Sequence, residues 1–227
     1  MKFNDNTLAV LKNFAGINPG IVLKPGNVLH TVNQSSSILS YAKNLDNFPV
    51  EFGIYDISTF LNNISNLGGN KAELTFDDKK VKIRSEDGFE LDYYGSNPHL
   101  IKKLKDEPVK YSEFDSNLTV ELKWSILDKV LKLAALNGFD TISIIGNEKG
   151  VHLRVFKDLT GNATSNSAEY KIVDGPVENF AVNLSIDSLI LLPLDYTLKI
   201  NPDIFVKFVS ADGNVYYVIA VKKDPAK

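Results

Sequence analysis

With 227 residues, 44% of them hydrophobic, the chain is long enough to bury one large core or two of ordinary size. It has no cysteine, which excludes disulfides, thiolate catalysis and the cysteine-bearing zinc sets. A formal charge of −3, from 25 basic and 28 acidic side chains, argues against a surface that grips nucleic acid all over and leaves only a local basic face.

In chain order, Asn4 to Gly16 opens on Asn and Asp cap candidates. It sets Leu8, Leu11 and Ala15 on one stripe with Val10 and Phe14 beside it, which predicts a first helix stopping near Gly16. Apolar runs then predict strands at Gly20–Lys24, Val28–Val32, Ile38–Lys43 and Val50–Tyr55, with Pro25-Gly26 as the first turn. A second helical stripe, Ile57, Phe60, Leu61 and Ile64, follows Asp56 or Ser58 as its cap, and Gly68-Gly69 reads as the turn after it. Strands at Ala72–Phe76, Lys80–Arg84 and Phe89–Tyr94 are separated by Asp77-Asp78 and Asp87-Gly88.

Gly95 to Phe114 is rich in charge, carries Pro98 and Pro108 and lacks a helical stripe, as a connector does, and it ends in a strand at Val109–Phe114. After a strand at Leu118–Lys123, a third helix is expected over Ser125–Leu136, with Leu127, Val130, Leu131 and Ala134 inward and Gly138 as its stop. Strands follow at Thr141–Gly146, Val151–Phe156, Ala168–Val173 and Phe180–Leu184. A short fourth helix at Ile186–Leu192 is broken by Pro193, and strands at Tyr196–Ile200, Ile204–Val209 and Val215–Val221 close the chain. The pattern is that of a mostly antiparallel α+β protein with few helices.

The order of elements repeats. Val10, Leu11, Lys12 and Ala15 find Val130, Leu131, Lys132 and Ala135 at one constant offset, and "FGIYDISTFL" from Phe52 resembles "FAVNLSIDSLI" from Phe180 with one residue inserted. Both matches in the same order favour a duplicated domain, with residues 1–110 and 111–227 as the copies and a connector at about 95–114. The opening "MKFNDNTLAV" has no apolar stretch fit for a secretory signal, and Leu189–Leu194 is too short to span a bilayer, so a soluble intracellular protein is expected.

The chemistry of catalysis is sparse. His30, His99 and His152 are the only histidines, and none is spaced to share a metal; no Gly-x-Ser-x-Gly or phosphate-binding glycine loop occurs. Asp77-Asp78 and Glu86-Asp87 sit where turns favour acids. No enzyme, metal or cofactor is therefore expected. The helices instead carry Lys12 and Asn13, then Asn62 and Asn63, then Lys129 and Lys132 with Lys123 just upstream. Acids there are confined mainly to helix starts, at Asp5, Asp56, Asp128 and Asp187. Ordinary solvation accounts for such faces as well as a ligand does.

"TLAVLKNFAGINPGIVLKPG" and "FGIYDISTFLNNIS", with "VLK" again at Val130–Lys132, resemble the sliding clamps of T-even-like tailed phages, the processivity factors of the phage replicative DNA polymerase. The resemblance implies a ring-shaped homotrimer whose subunits each hold two similar domains, sheets outside and two helices per domain lining a hole for duplex DNA. It implies no catalytic residue and no cofactor. Its partners would be double-stranded DNA of any sequence, an ATP-dependent clamp loader and the C-terminal peptide of the polymerase. A role in late transcription and a place in the cytoplasm of the infected bacterium follow as well.

On that resemblance Lys12, Asn13, Asn62, Asn63, Lys123, Lys129 and Lys132 would face DNA, although Ala134, Ala135 and Leu136 leave the third helix less basic than the family suggests. Sheet edges tend to recruit further strands. Val109–Phe114 of one subunit would therefore meet Ser167–Val173 of the next, with Tyr111, Phe114, Tyr170 and Ile172 as apolar contacts. Leu100 and Ile101 would border a pocket for a partner peptide. The rival expectation is a structural or assembly β-protein of a phage with no DNA role.

Overall fold

Asn4 begins the first helix by geometry as well as by type: its extended backbone lets its side chain accept from the Thr7 amide at 2.8 Å, satisfying one of the helix's orphan N–H groups. In the computed structural model, which describes residues 1–104, 116, 118–158 and 166–222, that helix is α1 (Asp5–Ile17). The chain divides into two units, Met1–Ser112 and Glu113–Lys227.

In the first unit α1 buries Thr7, Val10, Leu11, Phe14 and Ile17. Leu8 and Ala15, expected on the buried stripe, are only half-buried, because α2 (Ile57–Asn66) packs alongside and they flank the cleft between the helices. Between the helices run β1 (Ile21–Leu23), β2 (Leu29–Val32), β3 (Ile38–Ala42) and β4 (Phe52–Ile54). β1 pairs antiparallel with β4, Ile21 opposite Ile54, and β2 pairs with β3, Leu29 opposite Ala42. α2 buries Ile57, Phe60 and Ile64 and is followed by a 3₁₀ turn at Gly69–Lys71. A three-stranded antiparallel sheet of β5 (Glu73–Phe76), β6 (Lys80–Arg84) and β7 (Glu90–Tyr94) follows. Phe3 joins these layers, its ring edge-on to Phe48 at 5.8 Å and to Phe60 at 6.5 Å. Such aromatic pairs add about 0.5–1.5 kcal/mol each beyond the area they bury.

The second unit opens with β8 (Thr119–Leu122) and α3 (Trp124–Asn137). It continues through β9 (Thr141–Asn147), β10 (Gly150–Phe156), β11 (Ser167–Asp174) and β12 (Phe180–Ser185), which form one sheet in the order β11-β10-β9-β12. α3 packs against β10 and β11 of that sheet, burying Leu127, Val130 and Ala134, while Leu131, expected inward, is half-buried. The last strands, β13 (Tyr196–Asn201), β14 (Phe205–Ser210) and β15 (Val215–Ala220), pair in sequence, with β8 added beside β13.

The expected fourth helix is a correction. Ile186–Leu192 forms only a 3₁₀ turn, Ile186–Ser188, so the second unit has one α-helix among its described residues. Pro193 biases Leu192 away from helical backbone. Buried tyrosines claim the backbone of Leu192 instead: Tyr196 donates its hydroxyl to the Leu192 carbonyl at 2.6 Å, and the Leu192 amide donates to the Tyr217 hydroxyl at 3.2 Å. Burial pushes both phenols far above the usual tyrosine range, so they keep their protons. The expected strand Val109–Phe114 lies outside the described residues, and with it Tyr111 and Phe114.

Candidate nucleic-acid interface

α1 and α2 bring together residues far apart in the sequence. Lys12 and Asn62, both exposed, line one cleft of about 320 Å³ whose other walls are Leu8, Leu61, Ser58 and Ser65. None of the residues lining it is acidic. Asn13 and Asn63 are half-buried on the same helices, one position further along. The pair is tied at its ends. The Asn70 amide, just past α2, donates to Asp5 at 2.9 Å, while Asp46, between β3 and β4, anchors the start of α1 by accepting from the Asn4 backbone N–H at 2.7 Å and from its side chain at 3.1 Å. Asp56 starts α2, accepting from the Thr59 hydroxyl at 2.7 Å and the Thr59 amide at 3.0 Å. Those bonds, the hydroxyl first, hold its carboxyl below the usual aspartate value, so it is ionised wherever the protein is neutral or mildly acidic.

α3 is organised differently. Lys123 precedes it and is exposed, but the first helical N–H, that of Trp124, is capped from afar by Asp195 at 2.7 Å. Lys129 and Lys132 are exposed on the helix. The Lys132 ammonium lies 2.6 Å from the Asp128 carboxylate one turn earlier. That exposed pair is worth a few tenths of a kcal/mol, about 0.3–0.5. Lys129 opens onto a second cleft, about 380 Å³, floored by Ile126, Val130, Leu133 and Val155 and bounded by Tyr170 of β11. The structure thus sets Lys129, expected at DNA, next to Tyr170, expected at a subunit contact. Further along, Leu136 is 82% exposed, an apolar spot where a phosphate-facing helix would carry charge.

β11 ends its sheet, with β10 on one side and no partner strand on the other among the described residues. Ile172, half-buried, is the extra residue of the bulge that pairs Val151 with Val173 and His152 with Lys171, while the exposed Tyr170 shares a face with its partner Leu153. Glu169 is on the opposite face, 2.9 Å from Nδ1 of the buried His152. The histidine therefore packs inside the sheet.

Leu100 and Ile101, adjacent in sequence, part company. Leu100 is 73% exposed at the end of a 3₁₀ turn, Pro98–Leu100, whose His99 amide is capped by Asn97 at 2.9 Å. Ile101 is 6% exposed and fills the space left by the absent side chains of Gly20 and Gly53. Several groups hold the described part of the connector to the first unit. The Ser96 amide donates to the Gly53 carbonyl at 2.9 Å, Lys103 lies 3.9 Å from Glu51, and Asn18 donates to the Lys102 carbonyl at 3.1 Å. Asn18 was not visible as important in the sequence, where it reads as one more turn residue after a helix.

Among the described residues no three His, Asp or Glu side chains gather as a metal site would need, and no helix is long and apolar enough to cross a membrane.

Residues 4–103 match the family model described as DNA polymerase processivity factor. The sliding clamp of Vibrio phage KVP40 is 27% identical over 223 residues, covering 98% of this chain and 99% of that one. The sliding clamp of Enterobacteria phage T4 is 25% identical over 233 residues, covering 99% and 98%. Among solved structures, the Helicobacter pylori beta clamp bound to a DNA ligase peptide superposes with a TM-score of 0.73 at 12% identity, over 99% of this chain and 65% of that one. The proliferating cellular nuclear antigen of Entamoeba histolytica does so with a TM-score of 0.67 at 14% identity, over 98% of each chain. The last two show a shared fold.

Proposed function

We infer that this chain is a sliding clamp of the phage type, a DNA polymerase processivity factor, three copies of which close head to tail around duplex DNA and tether the replicative polymerase to it. The end-to-end likeness to the phage clamps carries this reading. Each subunit would supply two similar domains, about 1–110 and 111–227, whose helices turn toward the DNA. No step requires a catalytic side chain, because the task is retention.

The chemistry of the helix faces suits sliding. A clamp needs weak, sequence-blind phosphate contacts and no reading of base edges. Lys12 with Asn62 in the α1–α2 cleft, Asn13 and Asn63 beside them, and Lys123, Lys129 and Lys132 on or before α3 supply donors of that kind. A net charge of −3 over the whole chain would repel DNA that is not threaded. The outer edge of β11, unpaired among the described residues and carrying Ile172 and, beside the Lys129 cleft, Tyr170, suits the subunit contact, met by Val109–Phe114 of the next copy. Leu100, held out on an ordered turn, suits docking of the polymerase's C-terminal peptide. Loading by an ATP-dependent loader, a part in late transcription and action in the cytoplasm of the infected bacterium belong to the same reading.

Charge reversal tests the lysines. Lys12→Glu is expected to shorten processive synthesis by roughly three- to tenfold at moderate salt, since a phosphate contact becomes a repulsion. Lys132→Glu should do at least as much, because it leaves a glutamate beside Asp128, two acids where an ion pair stood. Primer-extension length checks both, and wild-type lengths for both would remove them from the DNA face.

A further inference from the structure

Asn18 is 3% exposed and lies just beyond α1, and its side chain makes three hydrogen bonds to three different segments. Its amide donates to the Val32 carbonyl at the end of β2, at 3.0 Å, and to the Lys102 carbonyl in the connector, at 3.1 Å. Its carbonyl accepts from the Gly20 amide at 3.1 Å, just before β1. Both amide hydrogens are therefore used, and no smaller side chain can reproduce the set: serine has one hydroxyl hydrogen and cannot serve two carbonyls.

What this side chain holds is informative. Lys102 follows Ile101, which is buried over Gly20 and Gly53, and Ile101 follows Leu100, which is 73% exposed. The Lys102 ammonium adds a bond to the Gln34 carbonyl. A large apolar side chain is thus held out in water by a backbone pinned immediately after it. Pinning a backbone costs conformational entropy, and an exposed leucine recovers none of it by burial. A pre-ordered apolar contact does recover it on binding, because the turn itself then loses less freedom when a partner docks.

We propose that Asn18 is a positioning residue for partner docking: by fixing the Lys102 carbonyl it sets the presentation of Leu100 to a short apolar peptide. This rests on the reading of Leu100 as a docking residue and adds a buried side chain that acts through it.

The test uses the full-length protein and a fluorescent synthetic copy of the C-terminal peptide of the cognate replicative polymerase, with binding read by anisotropy. Asn18→Ala and Leu100→Ala are each expected to weaken binding roughly tenfold, the scale of one buried hydrogen bond or one apolar contact. The double variant is expected to bind no worse than either alone, because both remove the same presented contact. Hydrogen exchange should show faster exchange at residues 99–103 in Asn18→Ala and unchanged exchange there in Leu100→Ala. Should Asn18→Ala fold poorly, Asn18→Ser keeps a polar group and loses the second donor, and the same cycle is run with it.

If the Asn18 variant binds as wild type while Leu100→Ala is weakened, the role of Asn18 is overturned and the docking reading stands. If Leu100→Ala binds as wild type, the docking reading falls, and the proposal with it, even where exchange at 99–103 is faster in the Asn18 variant. Losses that multiply in the double variant also overturn it, since Asn18 would then act on the fold at large.

Discussion

A carboxylate placed at Tyr170 or at Ile172 is expected to convert the assembly into single chains, dropping the molar mass from about three times 25.2 kDa to 25.2 kDa. Both side chains belong to β11, the strand with no partner on its outer side among the described residues, and Tyr170 bounds the cleft under α3 that Lys129 and Glu169 also line. A strand arriving from the next copy would satisfy the idle backbone groups and cover that cleft in one step. Desolvating a carboxylate at a subunit contact costs several kcal/mol, offset only in part at position 170 by Lys129 in the same cleft, and about 3 kcal/mol already weakens each contact roughly a hundredfold. A closed trimer loses this at every interface. Lys171→Ala serves as the control: that side chain is on the face of β11 opposite Tyr170, paired with Asp174 at 2.8 Å, and its loss should leave the mass unchanged. Light scattering at micromolar concentration decides it. A trimer that survives both carboxylate variants would place the subunit contact elsewhere.

The largest effect on stability is expected at Gly150. This residue turns the chain from β9 into β10 with φ +126°, and an added Cβ would lie 1.9 Å from the Val173 carbonyl oxygen of β11. No side chain has room to yield, because the obstruction is backbone. Gly150→Ala must therefore break the pairing of Gly150 with Asp174 and disturb the bulge at Val151/His152, on top of an unfavourable φ. Strain of this kind costs about 2–4 kcal/mol, which for a unit of this size lowers Tm by roughly 10 °C or more. Gly138→Ala offers the comparison. Its φ is also positive, at +64°, but no atom lies within 4 Å of the added carbon, so only the backbone preference of about 1 kcal/mol is lost. Thermal unfolding should rank the two clearly. Because the clash moves β11, Gly150→Ala should weaken assembly as well.

Much of this fold could be read from the sequence because local chemistry and tertiary demand agree. Asn4 and Asp56 stand where helices start, and each accepts the amide three residues on. The antiparallel strands fall between turn pairs such as Asp77-Asp78 and Asp87-Gly88, with Lys80 and Arg84 opposite Tyr94 and Glu90 as alternation demands. Where the reading failed, a distant partner outweighed the local pattern. Ile186–Leu192 has helical spacing, but Pro193 and the hydroxyls of Tyr196 and Tyr217 take its backbone elsewhere. Leu8 and Ala15 look like core residues until α2 is seen beside them.

The site was legible in part. The lysines and asparagines stood out as an exposed, nearly acid-free set, and they do lie on α1, on α2, or on or just before α3. That Lys12 and Asn62 share one cleft follows only from helix packing, and so does the nearness of Lys129 to Tyr170. The separation of Ile101 from Leu100 depends on two glycines remote in sequence, Gly20 and Gly53. No periodicity announces such a vacancy.

Encirclement is what the account depends on, and it is measured most directly by retention on DNA before and after the thread is cut. The protein, loaded onto nicked circular DNA and washed at moderate salt, is expected to stay bound and then to be lost rapidly when a restriction enzyme linearises the circle. Equal retention on circular and linear molecules, or release from both at the same rate, would contradict it.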